Sequence, residues 1–500
     1  MKFNIKTASV LFIGAALMTT SCKKFLDVNR DPDNIPSTEA PIAQLLTNAQ
    51  VNMAFEGGSD LYRFTSIIAQ HLSGQASQPN QTYEYDRYNI TGNDQNNVWS
   101  SIFATTLNDL DLVINTATTN GSPHYSGVAK IMKAYEYSLA VDTWGNVPFT
   151  EAQQMDKNVS PKFDDGATIY PKLITMLDEG IAEVNAATSN LTPGTNSVIY
   201  PGAFATRKTN WVKAANVLKL RLLLHMSKND PASLTAMTTL INGGGPFFTA
   251  NADNFQLAFN DIANQRNPIQ AFEVSRPNYL FAHATMVNLM NTKADPRRPF
   301  YFTEFPYGSG NYKGVSAGDP ATVNYSRPHV YLRGPATGTP VVNAQGGITT
   351  QQTYNGTAPI RMLTFAEYNF IRAEHAMRTA NPAAAQTFFT AGITASMEAA
   401  GVSAANIAAY LLLNGTLTGT PANMQKQISE EKWVAMYGVS VEPWSEWRRT
   451  GYPALTLPSN RMATVPNVPR SLFYPQSEID FNPNAPAQKP ADLQTKVFWD

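Results

Sequence analysis

The chain has 500 residues, with 37 basic and 38 acidic side chains and a net charge of −1. That balance, with no basic tract, argues against a nucleic-acid-binding surface. Charged residues are only 15% of the chain and aromatics 11%, where about 25% charged is usual; amides and hydroxyls take their place, a make-up that suits neutral polar ligands. The single cysteine leaves no partner for an intrachain disulfide, so packing must hold the fold.

In chain order, Lys2 and Lys6 precede an apolar stretch over 8–20, and Ser21 then leads into Cys22. A secretory signal has this layout, with small residues at the cleavage point. A cysteine just after them resembles a bacterial lipobox. The stretch is shorter than the roughly 20 residues a membrane span needs. The expectation is removal of residues 1–21, acylation of Cys22, and a domain tethered to a membrane outside the cytoplasm. Residues 22–41 carry Pro32, Pro36 and Pro41 and read as the tether to a single domain over 42–500.

Helical periodicity predicts helices near 42–55, 97–118, 127–142, 167–187, 209–228, 232–242, 280–291, 363–380, 382–400, 404–413 and 421–449. Val128, Ile131, Met132, Tyr135 and Leu139 form one apolar stripe, and Trp211, Ala214, Ala215, Leu218 and Leu222 form another. Asp165 and Thr209 stand where helix caps are expected. The helices fall into adjacent pairs: 97–118 with 127–142, 167–187 with 209–228, 363–380 with 382–400, and 404–413 with 421–449. This is the plan of tetratricopeptide (TPR)-like repeats, without a tight 34-residue period. The chain is therefore expected to be mainly α, with about four helix pairs. Between 243 and 362 the sequence turns to Gly, Pro, Asn and aromatic residues. So long a stretch with one clear helix predicts an irregular lobe, and such loops tend to carry function. Residues 73–97 have the same character.

Several segments are distinctive in their order. CKKFLDVNRDPDNIP occupies 22–36, and IMKAYEYSLAVDTWGNVPFTEA occupies 131–152. NWVKAANVLKLRLLLHMS follows at 210–227, ADPRRPFYF at 294–302 and LTFAEYNFIRAEHAMR at 363–378. EEKWVAMYGVSVEPWSEWRRTGYPAL closes the set at 430–455, followed by Pro469-Arg470 and 474–478 (YPQSE). The ordered set resembles the SusD/RagB family of nutrient-binding outer-membrane lipoproteins. Each motif also has a local reading. Asp142, Gly145 and Pro148 make a helix exit; Glu367 and Glu374 are placed to pair with Arg372 or Arg378. Trp144, Lys219, Arg221, Trp433, Trp444, Trp447, Arg448 and Arg449 read as residues that specify the fold rather than touch a ligand.

The resemblance implies a mainly α, TPR-like scaffold carrying an irregular aromatic-rich lobe. It implies a surface lipoprotein on the outer membrane that caps a SusC-like TonB-dependent transporter, binds glycans or peptides, and makes or breaks no bond. Rings in the irregular segments would stack on sugar C–H faces. The candidates are Tyr83, Tyr85 and Tyr88, then Tyr279, Tyr301, Tyr307 and Tyr312. No cofactor is expected; a structural cation is conceivable, but no EF-hand spacing occurs.

Enzyme motifs are weak. Gly314-Val315-Ser316-Ala317-Gly318 matches a nucleophile-elbow string but lacks the strand before it and the helix after it. His71, His124, His225, His283, His329 and His375 include no i, i+4 pair for an HExxH zinc site. A glycosidase, needing only two suitably spaced carboxylates, and a periplasmic TPR-type scaffold stand as the alternatives.

Overall fold

The computed structural model describes residues 41–74, 80–154, 157–320 and 322–500. Cys22 and the tether up to residue 40 lie outside the described residues. No described helix is long and apolar enough to cross a membrane.

The amino-terminal half is built from α1 (Ile42–Gly58), α2 (Asp60–Ile68), α3 (Gln81–Asp86), α4 (Gly92–Trp99), α5 (Leu107–Thr119), α6 (Pro123–Trp144), α7 (Gly166–Val184), α8 (Phe204–Met226) and α9 (Pro231–Asn242). Helix α5 packs on α6, α6 on α7 and α7 on α8, so the first two expected pairs form. The α6–α7 contact is backbone to backbone. A Cβ on Gly127 would lie 2.7 Å from both the Gly180 carbonyl oxygen and the Val184 nitrogen. Lys219 of α8 reaches across to Asp178 of α7. Asp165 caps α7 by accepting from the Ala167 N–H at 3.0 Å. Thr209 caps nothing, because α8 begins at Phe204. Helix α6 ends at Gly145, whose φ of +85° only glycine adopts cheaply.

The segment expected as one helix over 97–118 is interrupted. A π-helical stretch, Ser100–Thr106, joins α4 to α5. Its wider turn brings residues five apart onto one side. Both Ser101 and Thr106 donate to Glu56 Oε1, each at 2.7 Å.

The lobe holds more regular structure than its composition suggests. It contains α10 (Pro268–Ser275), α11 (Ala284–Thr292) and the single turns α12 (Arg298–Tyr301) and α13 (Val330–Arg333). The expected helix 280–291 starts as a strand, Leu280–Ala282, and α11 begins only after His283, whose Nδ1 accepts from the Thr285 N–H. Ten short strands occur among the described residues: β1 (Leu72–Gly74), β2 (Val147–Pro148), β3 (Phe163–Asp164), β4 (Phe255–Leu257), β5 (Leu280–Ala282), β6 (Ala336–Thr337), β7 (Val341–Val342), β8 (Ile348–Thr350), β9 (Thr353–Tyr354) and β10 (Ile360–Leu363). They form five antiparallel pairs. β1–β5 (Leu72 opposite Ala282) ties the lobe to the helices, and β4–β10 (Leu257 opposite Ile360) closes its base. β6–β9 and β7–β8 are hairpin-like ribbons within it.

The carboxy-terminal half comprises α14 (Phe365–Arg378), α15 (Pro382–Ala400), α16 (Ala404–Asn414), α17 (Pro421–Ala435), α18 (Glu442–Thr450) and α19 (Gln476–Phe481). α14 and α15 pack as the third pair. The fourth is looser: α16 lies on α15 and α17 on α14, bridged by the Tyr410 hydroxyl donating to Glu431 at 2.6 Å. The helix expected over 421–449 breaks at Gly438, with φ +91°. Glu367 pairs with Arg221 of α8 through two 2.6 Å hydrogen bonds rather than with Arg372. Glu374 is taken chiefly by Arg449 at 2.6 Å, with Arg378 at 3.4 Å. Trp144, Trp211, Trp433, Trp444 and Trp499 are all fully buried, which places the core between the helical layers.

Candidate functional site

The seven candidate tyrosines separate into three groups. Tyr85 and Tyr88 are buried, the first with its ring 4.5 Å from that of Phe64. Tyr301 is fully buried between Tyr331 (4.6 Å) and Tyr437 (4.7 Å), where it cements the lobe to the linker between α17 and α18. These three are core residues, and packing removes them from the candidate surface. Tyr83 and Tyr279 are half-buried. Their segments are joined where Thr82 donates to the Tyr279 carbonyl at 2.7 Å. The Tyr279 ring stands edge-on to Phe272.

Tyr307 and Tyr312 come together. They line one cavity of about 340 Å³ with Phe302, Glu304, His329 and Gln352. That volume lies within the range of about 300–1,000 Å³ typical of ligand pockets. Tyr307 keeps 39% of its surface exposed. Tyr312 is half-buried, with the Arg298 guanidinium 5.4 Å from its ring centre. Burial and the nearby Glu304 push its hydroxyl up to about 12, against the pull of Arg298. It therefore stays protonated as a hydrogen-bond donor. Glu304 makes no ion pair among the described residues. It is the one carboxylate lining the cavity.

His329 closes one wall. Its Nδ1 lies 2.7 Å from the Tyr354 hydroxyl, which also sits 3.4 Å from Gln352 Oε1. Burial, reinforced by Arg333, lowers the imidazole to about 4, so it is neutral near pH 7. The cavity thus offers a ring face, a phenol, an amide, a neutral imidazole and one carboxylate. This set bonds hydroxyls and stacks on apolar faces without demanding a charged ligand. Among these residues, sequence reasoning singled out only the two tyrosines as ligand contacts. His329 and Gln352 sit in loops whose composition drew notice, but nothing in their local spacing marks them.

The family described as SusD-like, "starch-binding associating with outer membrane", matches residues 33–475. The chain belongs to the SusD-like family. The family's description names binding, not a reaction. Among solved structures, a chitin-binding protein is 24% identical with a TM-score of 0.75, over 92% of this chain and all of that one. A chitin-binding SusD homologue from Flavobacterium johnsoniae is 20% identical with a TM-score of 0.73, over 91% of this chain and 97% of that one. A SusD homologue from Bacteroides uniformis is 21% identical with a TM-score of 0.70, over 91% and 99% of the two chains. At these identities the likeness establishes the mainly α SusD-like fold. No curated protein matches the sequence.

Proposed function

We propose that the protein is a lipid-anchored lipoprotein of the outer membrane that captures neutral glycan oligomers at the cell surface. It passes them to a SusC-like TonB-dependent transporter, over which it acts as a lid. The observation that carries the ligand class is the Tyr307–Tyr312 cavity, whose polar lining is neutral apart from Glu304, on the irregular lobe of a SusD-like chain. Chitin binding by two relatives of the same fold makes N-acetylglucosamine oligomers the first ligands to test. Cys22 and the proline-rich tether support a leash that lets the lid open without being lost.

A glycan and peptide array on the purified protein tests the ligand. Binding to neutral oligosaccharides, with no released product, is expected; binding to peptides alone would overturn the glycan assignment, and product release would restore the glycosidase. Affinity purification from outer membranes tests the partner. A TonB-dependent barrel should co-purify, and surface labelling of intact cells should reach the protein. Labelling only after lysis, with no barrel recovered, would favour a periplasmic scaffold.

A further inference from the structure

A second cavity, of about 530 Å³, adjoins the first. Gln352 lines both, and the Tyr354–His329 hydrogen bond forms part of the wall between them. Its lining includes Glu273 of α10, Arg333 of α13 and Gln351 of the turn joining β8 to β9. The Arg333 guanidinium sits over the Tyr354 ring, 3.8 Å from its centre. Its Nε donates to Gln270 at 2.7 Å and its Nη1 to Gln351 Oε1.

Glu273 is poorly satisfied. It is 2% exposed, and neither carboxylate oxygen has a partner in good hydrogen-bond geometry; the Gln351 amide, which accepts from Arg333, is the polar group nearest to bridging the two. The cationic atom closest to Glu273 is Arg333 Nη1 at 3.7 Å, too long for a hydrogen bond. Arg327, whose charge also acts on Glu273, leaves its Nε and Nη1 unpartnered. Unpaired buried polar groups are costly and call for an explanation. Burial raises the Glu273 carboxyl and lowers both arginines, the direction expected of a charge cluster short of partners. A group that bridges Glu273 and Arg333 must accept from a guanidinium and donate to a carboxylate. A hydroxyl does both.

We propose that this cavity is a second glycan subsite, where a sugar hydroxyl displaces the Gln351 amide, accepts from Arg333 and donates to Glu273. Gln352 joins it to the Tyr307–Tyr312 cavity as one groove, so the protein selects oligomers over short sugars. The inference rests on the glycan reading above and adds to it a length requirement and a second set of contacts.

Calorimetric titration of the detergent-solubilised full-length protein tests it. The probes are N-acetylglucosamine, maltose-type and cellulose-type oligomers, from disaccharide to hexasaccharide. At least one series should bind, with affinity rising roughly tenfold or more along it, the worth of one hydrogen bond to a charged group. Glu273→Gln should collapse the ratio of hexasaccharide to disaccharide affinity towards one. Val274→Trp should do the same by filling the mouth from a side chain that is 64% exposed, a position where folding tolerates change. A flat length dependence in the parent protein, or a steep one that survives Val274→Trp, overturns the second subsite while leaving glycan capture standing. If no series binds, the glycan reading falls and the subsite with it.

Discussion

Glu56 and Glu136 face one another in the packed interior of α1 and α6. Glu56 Oε1 accepts from Ser101 and Thr106, while its Oε2 and both oxygens of Glu136 find no partner but each other's carboxyl group. Burial raises Glu56 from 4.5 to about 7, and burial together with the facing Glu56 charge pushes Glu136 well above 4.5. As pH rises above about 4.5 the folded chain therefore holds the Glu136 proton longer than the unfolded chain does. Folding must take that proton up, so stability falls as pH rises above about 4.5. Glu136→Gln keeps the shape, supplies an N–H donor and cannot ionise in either state. The variant should match the parent near pH 4.5 and gain on it by about 1.4 kcal/mol per pH unit. Urea denaturation followed by tryptophan fluorescence at a series of pH values reads the gap between variant and parent directly. A gap that does not change with pH, or that closes as pH rises, would refute the protonated assignment of Glu136.

Tyr312→Ala should weaken binding of N-acetylglucosamine oligomers roughly twofold to tenfold in calorimetry, the worth of one aromatic contact. Tyr301→Ala should instead cost about 3–5 kcal/mol of stability in denaturant titration, because that ring is core. Gly127→Ala should destabilise by about 1–3 kcal/mol in the same assay, since its methyl group meets the backbone of α7. Arg449→Met strands Glu374 and Glu446 and should cost about 3–5 kcal/mol near neutrality. Arg449 holds Glu374 down at about 2, so this contribution is present above about 4.5 and is lost as pH falls through about 2. A deficit that is as large in strong acid as at neutrality would exclude the charge pair as its source. Cys22→Ser should move the protein from the membrane to the soluble fraction on cell fractionation.

Much of the helical scaffold was legible because apolar residues recur along it at helical spacing, even where, as in α6, 18 of 22 residues end up buried. The stripes on α6 and α8 predict those helices, and Asp165 marks the start of α7. Helix α2 was not legible: Leu61, Phe64 and Ile68 keep helical spacing, but nine residues are fewer than the roughly 11–18 over which periodicity registers. The π-helical stretch was hidden for a related reason. Its apolar spacing passes for an α-helix, and only the acceptor on α1, Glu56, shows what the wider turn is for.

The sequence by itself determined the helical class, the family resemblance, the irregular lobe and the kind of residue a site would use, since composition and local spacing carry these. Which rings face solvent was decided only by the tertiary structure. Tyr301 and Tyr307 sit six residues apart in the same aromatic stretch, yet one is sealed by Tyr331 and Tyr437 and the other stands open. Likewise, Glu367 prefers Arg221 from 146 positions away to Arg372 on its own helix, because two parallel bonds in a dry interior outweigh a solvated neighbour. Burial and long-range pairing depend on what arrives from elsewhere in the chain, and a local pattern holds no record of it.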